Sequence, residues 1–148
     1  MTAVPAPRQV IVGADGRAKA YRPLPLEERV AGLRAGLEAY DRGDFFAAHE
    51  HMEPAWMGSD DQLERSLIQG LIKLAAADVH GVRRNPRGIA RNLEGARDRL
   101  REAAGGGSTI GLELDIPDLI DAIDRRLANL AEARRTEPIP LAWRLRTP

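Results

Sequence analysis

His49 and Glu53 stand one helical turn apart in the stretch DFFAAHEHMEPAW, which runs from Asp44 to Trp56. An imidazole and a carboxylate at that spacing share a helix face. They can hold a divalent cation, exchange protons with a substrate, or satisfy one another inside a core. Turning about 100° per residue brings His49, Glu53 and Trp56 within about 60° of one another, with Phe45 and Met52 on either side. The pair is therefore expected in the middle of an apolar stripe and largely buried, with Glu50 on the flank and His51 pointing away. HEHME is not the H-E-x-x-H zinc motif, because the position one turn after His49 holds Glu53 rather than a second histidine. Trp56, Phe45 and Phe46 read as core residues of the same stripe.

A second set of polar residues lies on the most apolar segment of the chain, roughly Gln62 to Gly81. There Gln69, Lys73 and His80 align on one face of a helix whose other positions are mostly Leu, Ile, Val and Ala. An unpaired buried carboxylate or imidazole costs several kcal/mol, so two inward polar seams are expected to meet in one network. Three readings of that network fit the residues. In the first, His49, Glu53, Gln69, Lys73 and His80 form a closed hydrogen-bonded and ion-paired set that fixes helix register. In the second, His49 and Glu53 bind a divalent metal with His80 or Glu50 as third ligand, a set that the Lys73 ammonium opposes. In the third, the site is a metal-free acid–base or small-molecule pocket in which Glu53 is desolvated unless Lys73 pairs with it.

The elements that must position these residues follow from apolar periodicity. Leu26, Val30, Leu33, Leu37 and Tyr40 mark a first helix, opened by Pro25 and ended near Gly43. Asp44 caps a second, which runs to about Met57, and Pro54 inside it is expected to bend the helix without ending it. The third helix, apolar nearly all round, belongs in the middle of a bundle. Asn85 and Pro86 open a fourth, with Ile89, Leu93, Ala96, Leu100 and Ala104 inward, and Gly105–Gly107 end it. A fifth begins near Pro117 and turns Leu119, Ile123, Leu127 and Leu130 inward. The fold class is all-α: a single-domain bundle of about five helices over residues 25–136. A proline- and glycine-rich extension over residues 1–24 carries a small hairpin around Gly13–Gly16. An extended tail over residues 137–148 packs through Leu141, Trp143 and Leu145.

Composition narrows the function classes. The 148 residues carry 22 Lys and Arg against 22 Asp and Glu, so the chain lacks the basic footprint of a nucleic-acid or anionic-membrane binder. There is no cysteine, which removes thiolate metal sites and cysteine nucleophiles and leaves His and carboxylate as the metal donors. No secretory leader and no membrane-length apolar run is legible, so the chain reads as soluble and cytoplasmic. Its partners are then an unidentified small ligand or a second copy of itself, in a homo-oligomer.

The segments YDRGDFFAAHEHMEPAW and LIQGLIKLAAADVHGVRRNPRG together resemble domain-of-unknown-function family 309, across roughly residues 33–103. His49, Glu53 and Trp56 match the family's H-x-x-x-E-x-x-[WY] signature. Its QGLIQ segment corresponds to Gln69–Lys73, its following histidine to His80, and its GN turn with a later glycine to Arg84, Asn85 and Gly88. Lys73 stands where the family usually has glutamine, and Pro54 lies inside the motif helix. The resemblance implies a small helical bundle and a metal site at the motif, and brings no activity with it. Two functions follow: a helical protein with an interior His49/Glu53 site for a metal or small ligand, or a non-catalytic interaction module that pairs with itself.

Overall fold

Among the described residues, four of five helices begin where a side-chain oxygen accepts a backbone N–H of the first turn. The computed structural model describes residues 10–12, 18–105, 110–130 and 138–146. Helix α1, Leu26–Asp41, is opened by Pro25 without a side-chain cap. Helices α2 (Phe45–Met57), α3 (Gln62–Val82), α4 (Pro86–Ala104) and α5 (Ile116–Ala128) are capped by Asp44, Asp61, Asn85 and Asp115. The cap bonds run from Ala47 N, Glu64 N, Gly88 N and Asp118 N at 2.8–3.2 Å. Each satisfies a donor that the helix itself cannot. Pro54 does not interrupt α2, which continues to Met57 and closes with Gly58 N donating to the Pro54 carbonyl at 2.9 Å.

Helices α1 and α3 end in the same way. Gly43, at φ +80°, lets Asp44 N donate to Ala39 O and Gly43 N to Tyr40 O, both at 2.9 Å. At the end of α3 the equivalent bonds run from Asn85 N to His80 O at 2.9 Å and from Arg84 N to Gly81 O at 3.1 Å. Both are six-residue C-terminal caps that need a left-handed residue. The second assigns that conformation to Arg84, at φ +54°, against the preference of a side chain with a Cβ.

The helices pack in chain order, α1 on α2, α2 on α3, α3 on α4 and α4 on α5. Helix α3 occupies the centre and buries residues on nearly every side, from Leu67 and Ile68 to Leu74 and Ala77. Its buried Glu64 is paired with Arg29 Nε at 2.9 Å, and its buried Ser66 donates to Glu102 at 2.9 Å. Contacts between helices are close where glycine removes a side chain. A Cβ at Gly36 of α1 would overlap Met52 Cγ of α2, and one at Gly70 of α3 would stand 2.9 Å from Leu100 Cγ of α4.

Two short ribbons complete the all-α architecture. Strands β1 (Val10–Val12) and β2 (Ala18–Ala20) pair antiparallel, while the expected turn at Gly13–Gly16 lies outside the described residues. Strand β3 (Leu112–Glu113) pairs with β4 (Arg144–Leu145), so the C-terminal tail closes a long-range ribbon rather than lying alone. Ile139, Leu141 and Leu145 are buried, Arg34 donates to the Leu145 carbonyl at 3.0 Å, and Trp143 Nε1 donates to Asp41 at 2.8 Å. The expected end of the helical body at residue 136 and the glycines after Gly105 lie outside the described residues. No helix among the described residues is long and apolar enough to cross a membrane.

Arg84→Gly is expected to stabilise the protein by about 1 kcal/mol, the relief of left-handed strain less the added freedom of the unfolded chain. Urea denaturation of the two proteins checks this, and an unchanged or lowered midpoint refutes it.

Candidate functional site

The motif on α2 lies one step off the inward face. Ala48, Met52, Ala55 and Trp56 are the buried residues of α2, while the side chains of His49 and Glu53 are 34% and 32% exposed. This corrects the expectation that the pair is largely buried at the centre of the stripe. The cause is the approach of α1. Met52 fills the space left by Gly36, and a Cβ at Gly32 would stand 3.0 Å from the His51 carbonyl. Met52 and its neighbours Ala48 and Ala55 are thereby fixed inward, and His49 and Glu53 are turned to the margin.

The imidazole sits between two carboxylates at distances longer than hydrogen bonds. His49 Nε2 is 3.9 Å from Glu53 and Nδ1 is 3.6 Å from Glu50, whose side chain is 58% exposed. His49 Nδ1 is sealed from solvent without a hydrogen-bond partner. The second seam is divided. Gln69 is buried, Lys73 lays its side chain over Gly95 of α4, and His80 covers Gly88 so closely that any Cβ there would overlap the ring. Asn85 Nδ2 stands 3.2 Å from His80 Nδ1, and the same side chain caps α4. His80 therefore braces the turn between α3 and α4. Among the described residues, no three His, Asp or Glu side chains gather in a way that could hold a metal ion. The set His49, Glu50, Glu53 and His80 is not brought together as one.

A different polar group lies in the wall of a pocket beside α3. A pocket of about 220 Å³ is walled by Phe45 of α2, Leu74 and Ala77 of α3, Ile89 and Leu93 of α4, and Ile139 of the tail. Its charged lining residues are Asp78 and Arg126. Asp78 Oδ2 is inaccessible to solvent and accepts no hydrogen bond. Burial pushes the carboxyl up to about 6, against a hydrogen bond with Tyr40 and the Arg126 charge, which both pull it down. Tyr40 donates to the Ile139 carbonyl at 2.7 Å, and burial beside Asp78 holds its phenol far above the ordinary range, so it stays neutral.

Residues 33–92 match the family model described as a domain of unknown function, DUF309. That segment belongs to the DUF309 family. It holds Tyr40, His49, Glu53, Trp56, Lys73, Asp78 and His80, while Arg126 and Ile139 lie beyond it. Seven of the eleven described lining residues of the pocket thus lie in that segment, and Leu93, Arg126, Pro138 and Ile139 lie beyond it. No curated protein and no solved structure matches the chain.

Sequence reasoning did not single out Asp78. The available signal was its place on the stripe Leu67, Leu71, Leu74, one turn beyond the last of these, where a leucine would continue the pattern.

An acid held at about 6 in the folded protein, against 3.8 unfolded, favours the folded state while protonated. Its contribution falls as pH rises from about 4 and is lost above about 6, a change on the order of 3 kcal/mol. Asp78→Asn is expected to remove that dependence, so that the stability difference between variant and parent moves in the variant's favour between pH 4 and pH 7.5. Denaturation curves of both proteins across this range check it, and a constant difference refutes it.

Proposed function

We propose that the protein is a small-molecule-binding helical domain, with its ligand in the pocket between α3, α5 and the tail. One observation carries the reading: the Asp78 carboxyl group and the Arg126 guanidinium stand in the wall of a pocket whose other described lining residues carry no charge. Ligand pockets combine apolar walls with a few polar groups that fix orientation. At about 220 Å³ the cavity exceeds the roughly 150 Å³ that accommodates benzene, and suits a ligand of about ten non-hydrogen atoms.

The His49–Glu53 pair has a lesser part in this reading. It stands at the margin of α2, where imidazole and carboxylates are reachable from solvent and a cavity wall is not what holds them. No reaction is assigned to it.

Gly81 offers a way to close the pocket without disturbing the core. It lines the cavity, and a Cβ built there meets nothing within 4 Å. Gly81→Leu is expected to fold with stability equal to or above the parent, since leucine favours the helix by about 1 kcal/mol over glycine. It is also expected to lose at least tenfold in affinity for fragments that bind the parent. Ligand-observed NMR with a fragment library on both proteins tests the proposal, and fragments indifferent to Gly81→Leu overturn it.

A second reading, self-association, draws on Phe46 and Val82, which are 60% and 76% exposed. Their neighbours place them at the same end of the bundle, because Phe45 and Val82 line one pocket. Sedimentation velocity is expected to show a dimer that Phe46→Ser with Val82→Ser converts to monomer. A monomeric parent removes this reading.

A further inference from the structure

The segment from Val79 to Leu93 carries four arginines and a histidine and no acid, in a chain whose charges balance overall. Arg83 and Arg84 lie in the turn after α3, and Arg87 and Arg91 follow one helical turn apart at the start of α4. All four are exposed. Among the described residues none of them has an ion-pair partner, whereas Arg29, Arg97, Arg99 and Arg146 each stand 2.9–3.5 Å from a carboxylate. Two of the four are placed against the preference of the fold. Arg84 takes up a left-handed conformation at φ +54°. Arg87 stands in the first turn of α4, where the positive end of the helix dipole disfavours a cation and where α1, α3 and α5 carry acids. Neither side chain makes a compensating hydrogen bond or ion pair among the described residues.

Apolar side chains stand among these charges. Val82, the last residue of α3, is 76% exposed beside Arg83, and Phe46 is exposed at the start of α2, at the same end of the bundle. The other elements that reach this end leave it basic. Helix α5 adds Arg125 and Arg126. Helix α1 adds Arg42 and Asp41, which accepts from Trp143, and Asp44 caps α2. Asp78 lines the pocket and shares a hydrogen bond with Tyr40. Residues 131–137, outside the described residues, contain two Arg and two Glu and add no net charge.

Three anionic partners differ in what they require of such a surface. A nucleic acid read by its bases needs free hydrogen-bonding side chains, but Asn85 and His80 stand 3.2 Å apart and Asn85 also caps α4. An acidic peptide needs a groove or a strand edge to order its backbone, and here the chain presents two helix ends joined by a tight turn. A bilayer surface needs neither. Arginines meet its headgroups while apolar side chains among them enter the interface.

We infer that the α3–α4 turn docks the protein on an anionic phospholipid surface, with Arg83, Arg84, Arg87 and Arg91 on the headgroups and Val82 and Phe46 in the interface. The balanced charge of the whole chain conceals this face, because a charged surface acts over a screening length of about 10 Å and meets only the nearest side chains. Attachment through four arginines is reversible, each contributing about fivefold in partitioning.

Cosedimentation of the full chain with phosphatidylcholine vesicles containing about one-third phosphatidylserine tests this, at about 0.1 M salt. Partitioning is expected to be about tenfold or more above that onto pure phosphatidylcholine, and to fall as salt rises. Arg83→Glu with Arg87→Glu is expected to lower it about tenfold or more while folding as stably as the parent, since an acid in the first turn of α4 suits the helix dipole. Val82→Ser is expected to weaken binding about threefold with the charge unchanged. Arg22→Glu with Arg144→Glu makes the same change in charge at exposed positions beside Met57, at the far end of α2, and beside β3, and is expected to have little effect. Equal losses from the two pairs would reduce the effect to net charge and overturn docking through this turn, as would equal binding to neutral vesicles or no binding to either kind. If polyuridylic acid strips the protein from the vesicles at a lower phosphate concentration than the lipid presents, the face belongs to nucleic acid. If the Arg83 and Arg87 changes alter sedimentation of the protein alone and leave vesicle binding as it was, the face lies between copies of the chain. Either result overturns membrane docking.

Discussion

The Tyr40 hydroxyl has one proton and two acceptors near it, and much of the structure depends on which receives it. It goes to the Ile139 carbonyl at 2.7 Å, which fastens the tail to the end of α1. Trp143 repeats the attachment one residue on, through Asp41, and Arg34 adds a third along the same helix through the Leu145 carbonyl. The tail is thereby held across the bundle, where Ile139 closes one wall of the pocket. The consequence is that Asp78 cannot rely on Tyr40 as a full donor. The hydrogen bond that Tyr40 shares with Asp78 pulls the acid down less than burial pushes it up.

A second constraint acts through glycine. Gly36 and Gly32 admit α2 so close to α1 that Met52 occupies the volume of a missing side chain. That contact sets the rotation of α2 about its axis, and the rotation decides which residues of the motif face inward. Trp56 goes into the core and His49 and Glu53 remain at its edge. Close packing of this kind leaves little freedom to choose otherwise, since interiors are filled at crystal-like density and a rotated α2 would leave a void at Gly36. The same logic at Gly88 commits His80 to the α3–α4 turn, because the ring lies where a side chain would have been.

The fold was legible because its signals are local. Asp44 and Asn85 announce helix starts by chemistry that acts over three residues, and the stripes of α1, α4 and α5 repeat at helical spacing without interruption. The tail was legible as a docked extended segment from the alternation of Leu141, Trp143 and Leu145, but not as half of a ribbon. Its partner at Leu112–Glu113 is two residues long and carries no strand signature of its own. The site was less legible for a related reason. A helical wheel fixes relative angles on one helix and says nothing about which angle the neighbour will face. His49 and Glu53 were therefore grouped correctly with each other and turned too far inward. Asp78 needed α1, α5 and the tail together before its surroundings could be seen, and those contacts span the length of the chain.

Comparison of two acids on α3, buried Glu64 and half-buried Asp78, shows what distinguishes the pocket from ordinary core polarity. Glu64 is 4% exposed, yet Arg29 meets it at 2.9 Å, so removal of its charge from water is compensated by a close ion pair. Ser66, two residues on, is equally well served by Glu102. Asp78 sits on the same central helix with neither kind of compensation at Oδ2, and burial dominates its titration despite Tyr40 and Arg126. A penalty on the order of 3 kcal/mol is a substantial part of the stability of a domain this size. Leucine at that position would continue the stripe of Leu67, Leu71 and Leu74, and would remove the penalty while filling the cavity. Among the described residues, His49 Nδ1, Arg65 Nε and Asp78 Oδ2 are all sealed from solvent without a hydrogen-bond partner, and of these three residues Asp78 is the one that lines the pocket. Such departures concentrate where a site must be kept ready for something that the folded chain does not itself supply.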